Sequence, residues 1–423
     1  MRLLDQLTGD RSALLAAQAA NLALMREAVA ASRTCTAVRP YAEQLTPDGL
    51  QDAPLMTREH VAEWGSRPDA PHRITVGDTR LVLRSSGSSG RVRTLLHDRA
   101  FNERVEALGA RGVCWDGLGE NPFVVNALAP GDLFGGFGFA DAVLARRGAA
   151  VLPAGTTLPA HHLAELVADL GVHAMVSLPG FVERLWAQAP EALSGLRTLF
   201  YLGDRMTPAT AERLAQHGVR IRSFAYSTTE TGPVGHQCAE LTGTDHHVHE
   251  DLVLAEVVDE DGRRLPDGTP GALAVTVLAD TGTALVRYLV GDNATLRPSD
   301  CACGSAARIL RIGARDDVSA NLDGTLVTRS MFDEALRPLG LPAEAAYQVA
   351  SETRDGLVRL TLRGTALRGI AADRALAALS GHQTLRKVTC SARFSGMEVD
   401  AEAAPRMTTR AKAPFFWNEG EHP

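Results

Sequence analysis

Apolar residues in the first part of the chain recur either at helical spacing or in short unbroken runs. From Leu14 to Ser32 they repeat every three or four positions, which predicts an amphipathic helix. The β-branched run from Thr79 to Leu83 predicts a strand, and the pattern from His97 to Leu108 predicts a helix. Short apolar runs predict two further strands, Phe123–Ala127 and a buried one within Ala149–Gly155.

From His161 to Ala225 helical and strand patterns alternate regularly. This alternation predicts a parallel sheet covered by helices. Ligands of such sheets bind at the carboxyl ends of the strands. Two predicted loops occupy such ends: Gly203 and Asp204 follow TLFYL, and YSTTE, residues 226–230, follows RIRSFA.

Beyond Pro233 the pattern changes to β-strands separated by turn residues such as DEDG and PDG, and the run ends with YLVGD at Asp292. The segment Val318–Pro423 has a different character and fits a compact α+β module of about a hundred residues. We therefore predict an α/β protein. It has a large N-terminal domain of helix-covered mixed sheets and a small, mobile α+β C-terminal domain.

Composition narrows the class of protein. The 423 residues are 45% hydrophobic and 22% charged, which is typical of a globular chain with two or three domains. A net charge of −7 gives no basic field for nucleic acid or an anionic membrane. We find no membrane-spanning run and no signal-peptide core, and six scattered cysteines suit a reducing compartment. We therefore expect a cytoplasmic protein that binds neither nucleic acid nor membranes.

The stretch RSSGSSGRVRT, Arg84–Thr94, carries the clearest candidate chemistry. Its glycines let the backbone turn at positive φ and approach a ligand closely, while its hydroxyls, amides and arginines suit phosphate. Ser/Gly-rich stretches are also typical of flexible linkers, and no GK[ST] closes this one as in a Walker loop. The candidate anion-binding residues are Ser85, Ser86, Gly87, Ser88, Ser89, Gly90, Arg91 and Arg93.

A second glycine-rich segment, LFGGFGF, runs from Leu133 to Phe139. Glycines within an apolar, aromatic run indicate a close approach of the backbone, either to a flat ligand or to a neighbouring helix or strand. Both interpretations stay open from this segment alone.

Four separated stretches, in order, resemble the signature loops of adenylate-forming enzymes: RSSGSSGRVR, YSTTE, YLVGD and RIGARDD. The best resemblance is to the phenylacetate-CoA ligase-like branch, whose length and LFGGFG segment this chain shares. The resemblance covers nearly the whole sequence. It implies that ATP activates a small carboxylic acid as an acyl-adenylate, with Mg²⁺, and that a thiol such as coenzyme A accepts the acyl group.

The resemblance also implies roles for single residues. The Ser/Gly loop would hold the β- and γ-phosphates, Glu230 would bind Mg²⁺, Thr229 would donate to the α-phosphate, and Asp292 would accept the ribose hydroxyls. In isolation such a Glu or Asp is typical of a cap or a turn, and the order of the motifs favours the functional roles. The implied adenine slot, with Tyr226 stacked on the base, comprises Gly203, Asp204, Tyr226 and Ser227. The implied substrate pocket, which suits an apolar, flat acid, comprises Phe134, Gly136, Phe137 and Phe139.

Two motifs depart from the family pattern. Gly313 is followed by Ala314, and Arg315, the candidate nucleotide contact, comes one residue later than in the family. We expect the hinge at Asp316 or Asp317, which divides the chain into an adenylating domain, 1–315, and a C-terminal lid, 316–423.

The second departure lies near the C-terminus. In PRMTTRAKAP the family's adenylation lysine falls on Arg410, with Lys412 two residues on. Either Arg410 takes the role, or Lys412 does so by a shift of register, or adenylation is slow. Arg91, where the family commonly has lysine, is a milder change of the same kind.

Cysteine spacing indicates a structural zinc site in an insertion around 238–303. Cys301 and Cys303 form half of a metal knuckle, and Cys238 lies upstream with a histidine-rich strand. Some family members have a similar set, and by that match His247 is the ligand, with His249 on the same strand face as the substitute. The alternative is that Cys238 is a small buried hydrophobe.

The resemblance leaves several points of function open. The acid is expected to be aryl or short acyl, in secondary metabolism, and the acceptor to be coenzyme A, a carrier-protein thiol or an amine. Two alternatives stay open. The substrate is not a carboxylate, or the chain is a catalytically impaired homologue that binds nucleotide without turnover. A homodimer would suit the family.

Overall fold

A computed structural model describes residues 9–85, 93–131, 133–313, 319–322, 325–342, 345–354, 357–407 and 413–419. The described residues form two compact units. The larger holds those up to 313 except 207–210, and the smaller holds 207–210 with those from 319 onward. The predicted α/β fold is confirmed, since both units mix helices with sheets. Among the described helices, none has the length and apolar character needed to cross a bilayer.

The N-terminal part of the larger unit contains three helices and a β-hairpin. Asp10 caps the first helix by accepting hydrogen bonds from the backbone N–H groups of Ser12 and Ala13 at 2.8 and 3.3 Å. Asp98 caps the third in the same way, through the N–H of Phe101 at 2.7 Å. The elements are α1 (Arg11–Ala31), α2 (Arg58–Trp64), β1 (Thr79–Arg84), β2 (Thr94–Asp98) and α3 (Arg99–Gly112), with 3₁₀ turns at Arg39–Gln44 and Leu50–Asp52.

The helix predicted over His97–Leu108 was wrong at its start, because its first two residues belong to the hairpin. His97 and Asp98 belong to β2, where His97 pairs with Leu81 of β1. The phosphate-loop candidate therefore connects two antiparallel strands, and the helix follows the second. Burial of Leu95, His97 and Asp98 fixes this strand, which is too short for its period to be recognised in the sequence.

A five-stranded parallel sheet occupies the middle of the larger unit, in the order β4-β3-β5-β6-β7. Its central strands are buried along nearly their whole length, as their unbroken apolar runs predict. The strands are β3 (Phe123–Ala127), β4 (Ala150–Leu152), β5 (Ala174–Ser177), β6 (Thr198–Tyr201) and β7 (Arg220–Ser223). The helices are α4 (Gly136–Arg146), α5 (Ala160–Asp169), α6 (Pro179–Gln188), α7 (Glu191–Ser194) and α8 (Pro208–Gln216).

The expectation of a buried strand at Ala149–Gly155 was wrong in one respect. β4 is the edge strand, paired only with β3 among the described strands, and Ala150 is exposed. An edge strand pairs on one side only and its other side is open, so an apolar composition does not ensure burial.

A seven-stranded antiparallel sheet completes the larger unit, in the order β11-β12-β13-β14-β10-β9-β8. Residues 238–303, expected as an insertion, supply β10 to β13 of this sheet. The strands are β8 (Tyr226–Thr228), β9 (Gly232–His236), β10 (Asp245–Val248), β11 (Val253–Val258), β12 (Gly271–Val277), β13 (Tyr288–Arg297) and β14 (Ile309–Ile312).

Two predicted ends differ from this sheet. YSTTE was expected as a loop, but its first three residues form strand β8, which pairs with β9. Asp292 was expected to end a strand, but β13 continues to Arg297 with buried and half-buried positions alternating. Gly291 adopts φ +81° just before Asp292, a conformation that favours glycine. In the sequence such a glycine is typical of a turn, and this is why the strand was expected to end there.

The smaller unit is an α+β module with its own apolar core around Phe332, Leu360 and Leu379. Its four-stranded sheet has the order β19-β18-β17-β20, and β15 pairs with β16 alone. The elements are β15 (Ser319–Leu322), β16 (Thr325–Thr328), α9 (Arg329–Leu336), β17 (Gln348–Arg354), β18 (Leu357–Arg363), α10 (Ala372–Gly381), α11 (Arg386–Thr389), β19 (Phe394–Asp400) and β20 (Phe416–Asn418), with 3₁₀ turns at Arg337–Leu339 and Thr365–Leu367.

Candidate active site and metal centre

The residues predicted for adenine and ribose come together in the larger unit. Tyr226, at the start of β8, donates its hydroxyl hydrogen to Oδ2 of Asp292 on β13 at 2.7 Å. Asp292 is buried and Tyr226 is half-buried. The two residues are 66 positions apart in the sequence, and the seven-stranded sheet brings them together. The accessible part of the tyrosine ring can stack on a base, and the carboxylate beside it can accept a hydrogen bond from a sugar hydroxyl.

The other residues predicted for the adenine slot lie at or near the ends of strands. Gly203 follows β6 at φ +77°, a conformation that favours glycine. Asp204 is exposed, and its Oδ1 accepts a hydrogen bond from the N–H of Arg205 at 2.8 Å. Ser227 is half-buried on β8, opposite Pro233.

Thr229 and Glu230 occupy the turn between β8 and β9. Thr231 donates its backbone N–H to Oγ1 of Thr228 at 3.1 Å, which fixes this turn from within. His97 of β2 contacts the carbonyl oxygen of Thr229 through Nε2 at 2.8 Å. The hairpin therefore holds the turn that carries both predicted catalytic residues.

Glu230 forms a buried ion pair with Arg93. Its Oε1 lies 2.7 Å from Nε of Arg93, and the two side chains are only 4% and 9% exposed. Burial alone would raise the pKa of Glu230, but the charge and hydrogen bond of Arg93 outweigh it, so the pKa lies below its usual value. Burial, and then the charge of Glu230, raise the pKa of the neighbouring Tyr288 hydroxyl. Glu230 is therefore ionised at neutral pH.

Within the Ser/Gly loop, residues 85–91, the structure describes Ser85 alone. Its Oγ accepts a hydrogen bond from the backbone N–H of Arg93 at 3.0 Å, and its own N–H donates to the Arg93 carbonyl at 2.9 Å. Ser85 thus closes the hairpin at the base of the loop. The other predicted nucleotide and catalytic residues outside the described ranges are Ser86, Gly87, Ser88, Ser89, Gly90, Arg91, Arg315, Arg410 and Lys412.

The predicted substrate-pocket residues lie in the first turn of α4 or just before it. Phe134 and Phe137 are half-buried, and the Phe137 carbonyl accepts a hydrogen bond from Nδ2 of Asn126 at 3.0 Å. Phe139 packs edge-on against Phe224, with ring centroids 5.8 Å apart. A Cβ on Gly136 would lie 2.6 Å from the Phe134 ring, so this glycine permits close packing. These contacts give the segment a packing role, and its role in substrate binding stays a prediction.

The four predicted zinc ligands form one cluster beside the seven-stranded sheet. Sγ of Cys238 lies 3.6 Å from Sγ of Cys301, and Sγ of Cys303 lies 3.2 Å from Nε2 of His247. All four ligand atoms lie within 4.8 Å of one another. The edge of a tetrahedron with Zn–S bonds of about 2.3 Å is about 3.8 Å, so the cluster has the dimensions of a Cys₃His site.

His247 is oriented as a ligand, whereas His249 is not. Nδ1 of His247 lies 3.0 Å from the carbonyl oxygen of Ala307; a carbonyl only accepts, so Nδ1 carries the proton and the Nε2 lone pair faces the thiols. Nδ1 of His249 instead contacts Nη2 of Arg111 at 2.9 Å, and its ring stacks on His236.

Two contacts within the site were not predicted from the sequence. Arg93 was expected to meet phosphate, and its pairing with Glu230 joins residues 137 positions apart, a separation that no local pattern reveals. His97 was assigned to a helix, and its contact with Thr229 was missed for the same reason. The cluster of positive charge in GRVR was the available signal for Arg93.

Comparison with known proteins gives one family match. The model of the AMP-binding enzyme family matches residues 13–277, more than half of the chain. No protein of curated function matches the chain significantly in sequence.

Solved structures share the fold at low identity. A 2-hydroxyisobutyryl-CoA ligase in the postadenylation state is 19% identical, with a TM-score of 0.71 over 99% of this chain and 92% of that chain. The same ligase in the thioesterification state, with an acyl-AMP and CoA, has a TM-score of 0.66 at 19% identity over 98% and 92%. An ATP-bound RpMatB-BxBclM chimera has a TM-score of 0.51 at 16% identity over 80% and 67%.

Proposed function

Because this chain belongs to the AMP-binding enzymes, the adenylate-forming superfamily, we propose that it joins a carboxylic acid to AMP and then transfers the acyl group to a thiol. The hydrogen bond between Tyr226 and Asp292 is the observation that carries the proposal. It joins the residues expected to recognise adenine and ribose, which the chain separates widely. The turn with Thr229 and Glu230 begins at the end of the same strand β8.

The first half-reaction is a displacement at phosphorus. A carboxylate oxygen of the acid bonds to the α-phosphorus of ATP, and the bond from that phosphorus to the β-phosphate oxygen breaks, which releases pyrophosphate. Positioning and neutralisation of charge are the main requirements when two anions react. In our proposal Tyr226 and Asp292 hold the nucleoside, and Thr229 donates to the α-phosphate.

Glu230 suits a Mg²⁺ ligand, since carboxylates are preferred and this one is ionised beside Arg93. Bound there, Mg²⁺ would neutralise charge on the phosphates. Arg93 and His97 position this turn, the first through the carboxylate and the second through the Thr229 carbonyl. The Ser/Gly loop, from Ser85 to Arg91, is proposed to hold the β- and γ-phosphates.

In the second half-reaction a thiolate attacks the carbonyl carbon of the acyl-adenylate, and the carbon–oxygen bond to AMP breaks. We propose coenzyme A as this thiol, and the presence of CoA in the related 2-hydroxyisobutyryl-CoA ligase structure supports it. Residues 316–423 are proposed to act as a lid that moves between the half-reactions.

For the acid we propose an aryl or short acyl group. The half-buried Phe134 and Phe137 support an apolar, flat substrate. The glycine-rich segment at the start of α4 supports membership of the phenylacetate-CoA ligase-like branch.

The cluster of Cys238, His247, Cys301 and Cys303 is proposed to hold a structural zinc ion. Four protein ligands leave no coordination position for water, so such a site stabilises rather than catalyses. It would tie the ends of β9 and β10 to the loop between β13 and β14.

The direct test of this function is pyrophosphate release from ATP and Mg²⁺ across a panel of aryl and short acyl acids. We expect release that depends on one class of acid, followed by formation of a thioester when CoA is added. A folded protein that binds ATP but releases no pyrophosphate with any acid would contradict the proposal.

The variant Tyr226→Phe tests the hydrogen bond between Tyr226 and Asp292, on which the proposal rests. This change removes the hydrogen bond to Asp292 and keeps the ring, so we expect the KM for ATP to rise about 5- to 10-fold with little change in kcat. Steady-state kinetics at a saturating acid concentration measures it. Tyr226→Leu, which also removes the ring, should be clearly worse than Tyr226→Phe, and equal effects would argue against stacking on the base.

A second candidate function, nucleotide binding without efficient turnover, is favoured by arginine at 410. If the chain is impaired there, Arg410→Lys should raise adenylation strongly, whereas a retuned enzyme should lose activity or be indifferent. Lys412→Ala is the matched variant, because a register shift would make that lysine the essential one. The acid-dependent pyrophosphate assay reports all three outcomes.

A further inference from the structure

The backbone around Asp292 forms a bulge in β13. Three residues of this strand, 290–292, lie opposite the single residue Leu273 of β12. Bulges re-aim side chains and are frequent next to active sites. Here the bulge carries the proposed acceptor of the ribose hydroxyls, so the direction of that carboxylate depends on what holds the bulge. The regular pairs on either side of it are Leu289 with Ala274 and Asn293 with Ala272.

The other flank of β13 changes its partner at the same place. The segment before α2 pairs with the start of the strand, where the backbone N–H of Leu289 donates to the Met56 carbonyl oxygen at 2.9 Å. Strand β14 pairs with β13 from Ala294 onward. The bulge lies between these two partners, and the side chain of Arg58, the first residue of α2, reaches it there.

The guanidinium of Arg58 lies across the bulge. Its Nη2 donates to the carbonyl oxygen of Val290. A Cβ on Gly291 would lie 2.7 Å from Nε of Arg58 and closer still to its Cζ, so the guanidinium lies directly against the glycine. This close approach and the φ of +81° both require glycine at position 291. Arg58 therefore contacts the two residues that precede Asp292.

The start of α2 does not explain an arginine at this position. A positive charge in the first turn of a helix is unfavourable, because the N-terminal end of the helix dipole is itself positive. The helix begins instead with Thr57, whose backbone N–H donates to Nδ1 of His60 at 3.1 Å. The contacts of Arg58 with β13 are therefore the ones that account for it.

We propose that Arg58 is a positioning residue for Asp292. Its guanidinium holds Val290 and Gly291 so that the carboxylate meets Tyr226 and accepts the ribose hydroxyls. The proposal rests on the proposed function and adds a determinant of ribose recognition from outside the signature loops. A planar fork suits a carbonyl oxygen together with a flat glycine backbone, and an ammonium group does not replace it fully. Arg58 thus acts on the sugar and not on the phosphates.

ATP and 2′,3′-dideoxy-ATP together separate a role at the ribose from a general one. We would titrate the full chain with each nucleotide by calorimetry, with Mg²⁺ and without acid. The unaltered chain should bind ATP about 10- to 100-fold more tightly, because the analogue lacks the hydroxyls that Asp292 accepts. Arg58→Met should reduce this ratio to about threefold or less, mainly by weakening ATP. Equal weakening of both nucleotides, or an unchanged ratio, would overturn the proposal.

Three further variants define how Arg58 acts. Asp292→Ala should remove the preference for ATP, and adding Arg58→Met to it should leave the ratio unchanged, because the arginine acts through that carboxylate. A further fall in the ratio of the double variant would refute this. Arg58→Lys should give an intermediate ratio. Arg33→Met, which alters an exposed arginine of the same unit, should keep the ratio of the unaltered chain.

Thermal unfolding tests the contact without nucleotide. Gly291→Ala places a Cβ against the guanidinium, so it should lower the melting temperature by about 2 °C less in Arg58→Ala than in the unaltered chain. The strain of alanine at positive φ is common to both backgrounds and cancels. Equal losses would refute the contact. An unaltered, folded chain that binds neither nucleotide would instead refute the proposed function, and with it the role of Arg58 at the ribose.

Discussion

Glu230→Gln is expected to lower acid-dependent pyrophosphate release by about 10²- to 10³-fold, the largest effect on activity that we foresee. Glutamine keeps the shape of the side chain but removes the charge that would bind Mg²⁺. The same change leaves the guanidinium of Arg93 buried without its partner carboxylate. Breaking a buried ion pair from one side costs about 3–5 kcal/mol of stability, so loss of activity alone would not separate catalysis from folding.

A double-mutant cycle separates the two effects. Arg93→Met and Glu230→Gln should each lower the free energy of unfolding, and the double variant should recover part of that loss, because neither residue is then left charged and unpaired. Activity should follow a different order. Every variant without Glu230 should stay at least about 100-fold impaired, including the stabilised double variant. If the double variant regained adenylation together with stability, Glu230 would be a structural partner of Arg93 and not a metal ligand.

The strands of the parallel sheet could be predicted from the sequence because each has a recognisable local pattern. VVNA, AMVS and TLFY are short apolar runs between helical patterns, and each became a buried strand. Both faces of such strands are covered by helices, so most positions are apolar. No long-range information is needed to recognise that pattern.

The antiparallel half was harder, because there the chemistry depends on pairing between distant strands. Asp292 follows Gly291 and has the local signature of a turn, yet it lies within a ten-residue strand. His97 is the fourth residue of β2, and only its register against Leu81 shows that it belongs to a strand. Register is set by the partner strand, which the local sequence does not contain.

Electrostatic partners were the least predictable feature. Arg93 and Glu230 were both identified in the sequence, one as a phosphate contact and the other as a metal ligand. Their ion pair was not predicted, because the two residues belong to separate motifs. By contrast, the sequence did predict that Cys238, His247, Cys301 and Cys303 lie together, because cysteine and histidine at such spacing form a distinctive pattern.

Loss of the metal should lower the stability of the larger unit. We expect the purified chain to contain about one equivalent of zinc, and Cys301→Ser to lower both its zinc content and its melting temperature, by roughly 5 °C or more. The cause is that Cys301 lies in the loop between β13 and β14, whereas Cys238 and His247 belong to the β9–β10 region, so the metal joins separate parts of one sheet. Elemental analysis and thermal unfolding, with and without a chelator, measure the two quantities.

Cys390→Ser is the matched control, because Cys390 is an exposed free cysteine in the smaller unit and is not in the metal cluster. It should keep zinc and melting temperature unchanged. His247→Gln should resemble Cys301→Ser in zinc content, since the Nδ1 contact with Ala307 commits Nε2 to the thiols. A chelator should destabilise the unaltered chain and leave Cys301→Ser unaffected, because that variant has no metal left to lose. Stoichiometric zinc in Cys301→Ser, or a melting temperature indifferent to the chelator in the unaltered chain, would show that these four residues do not hold a structural metal.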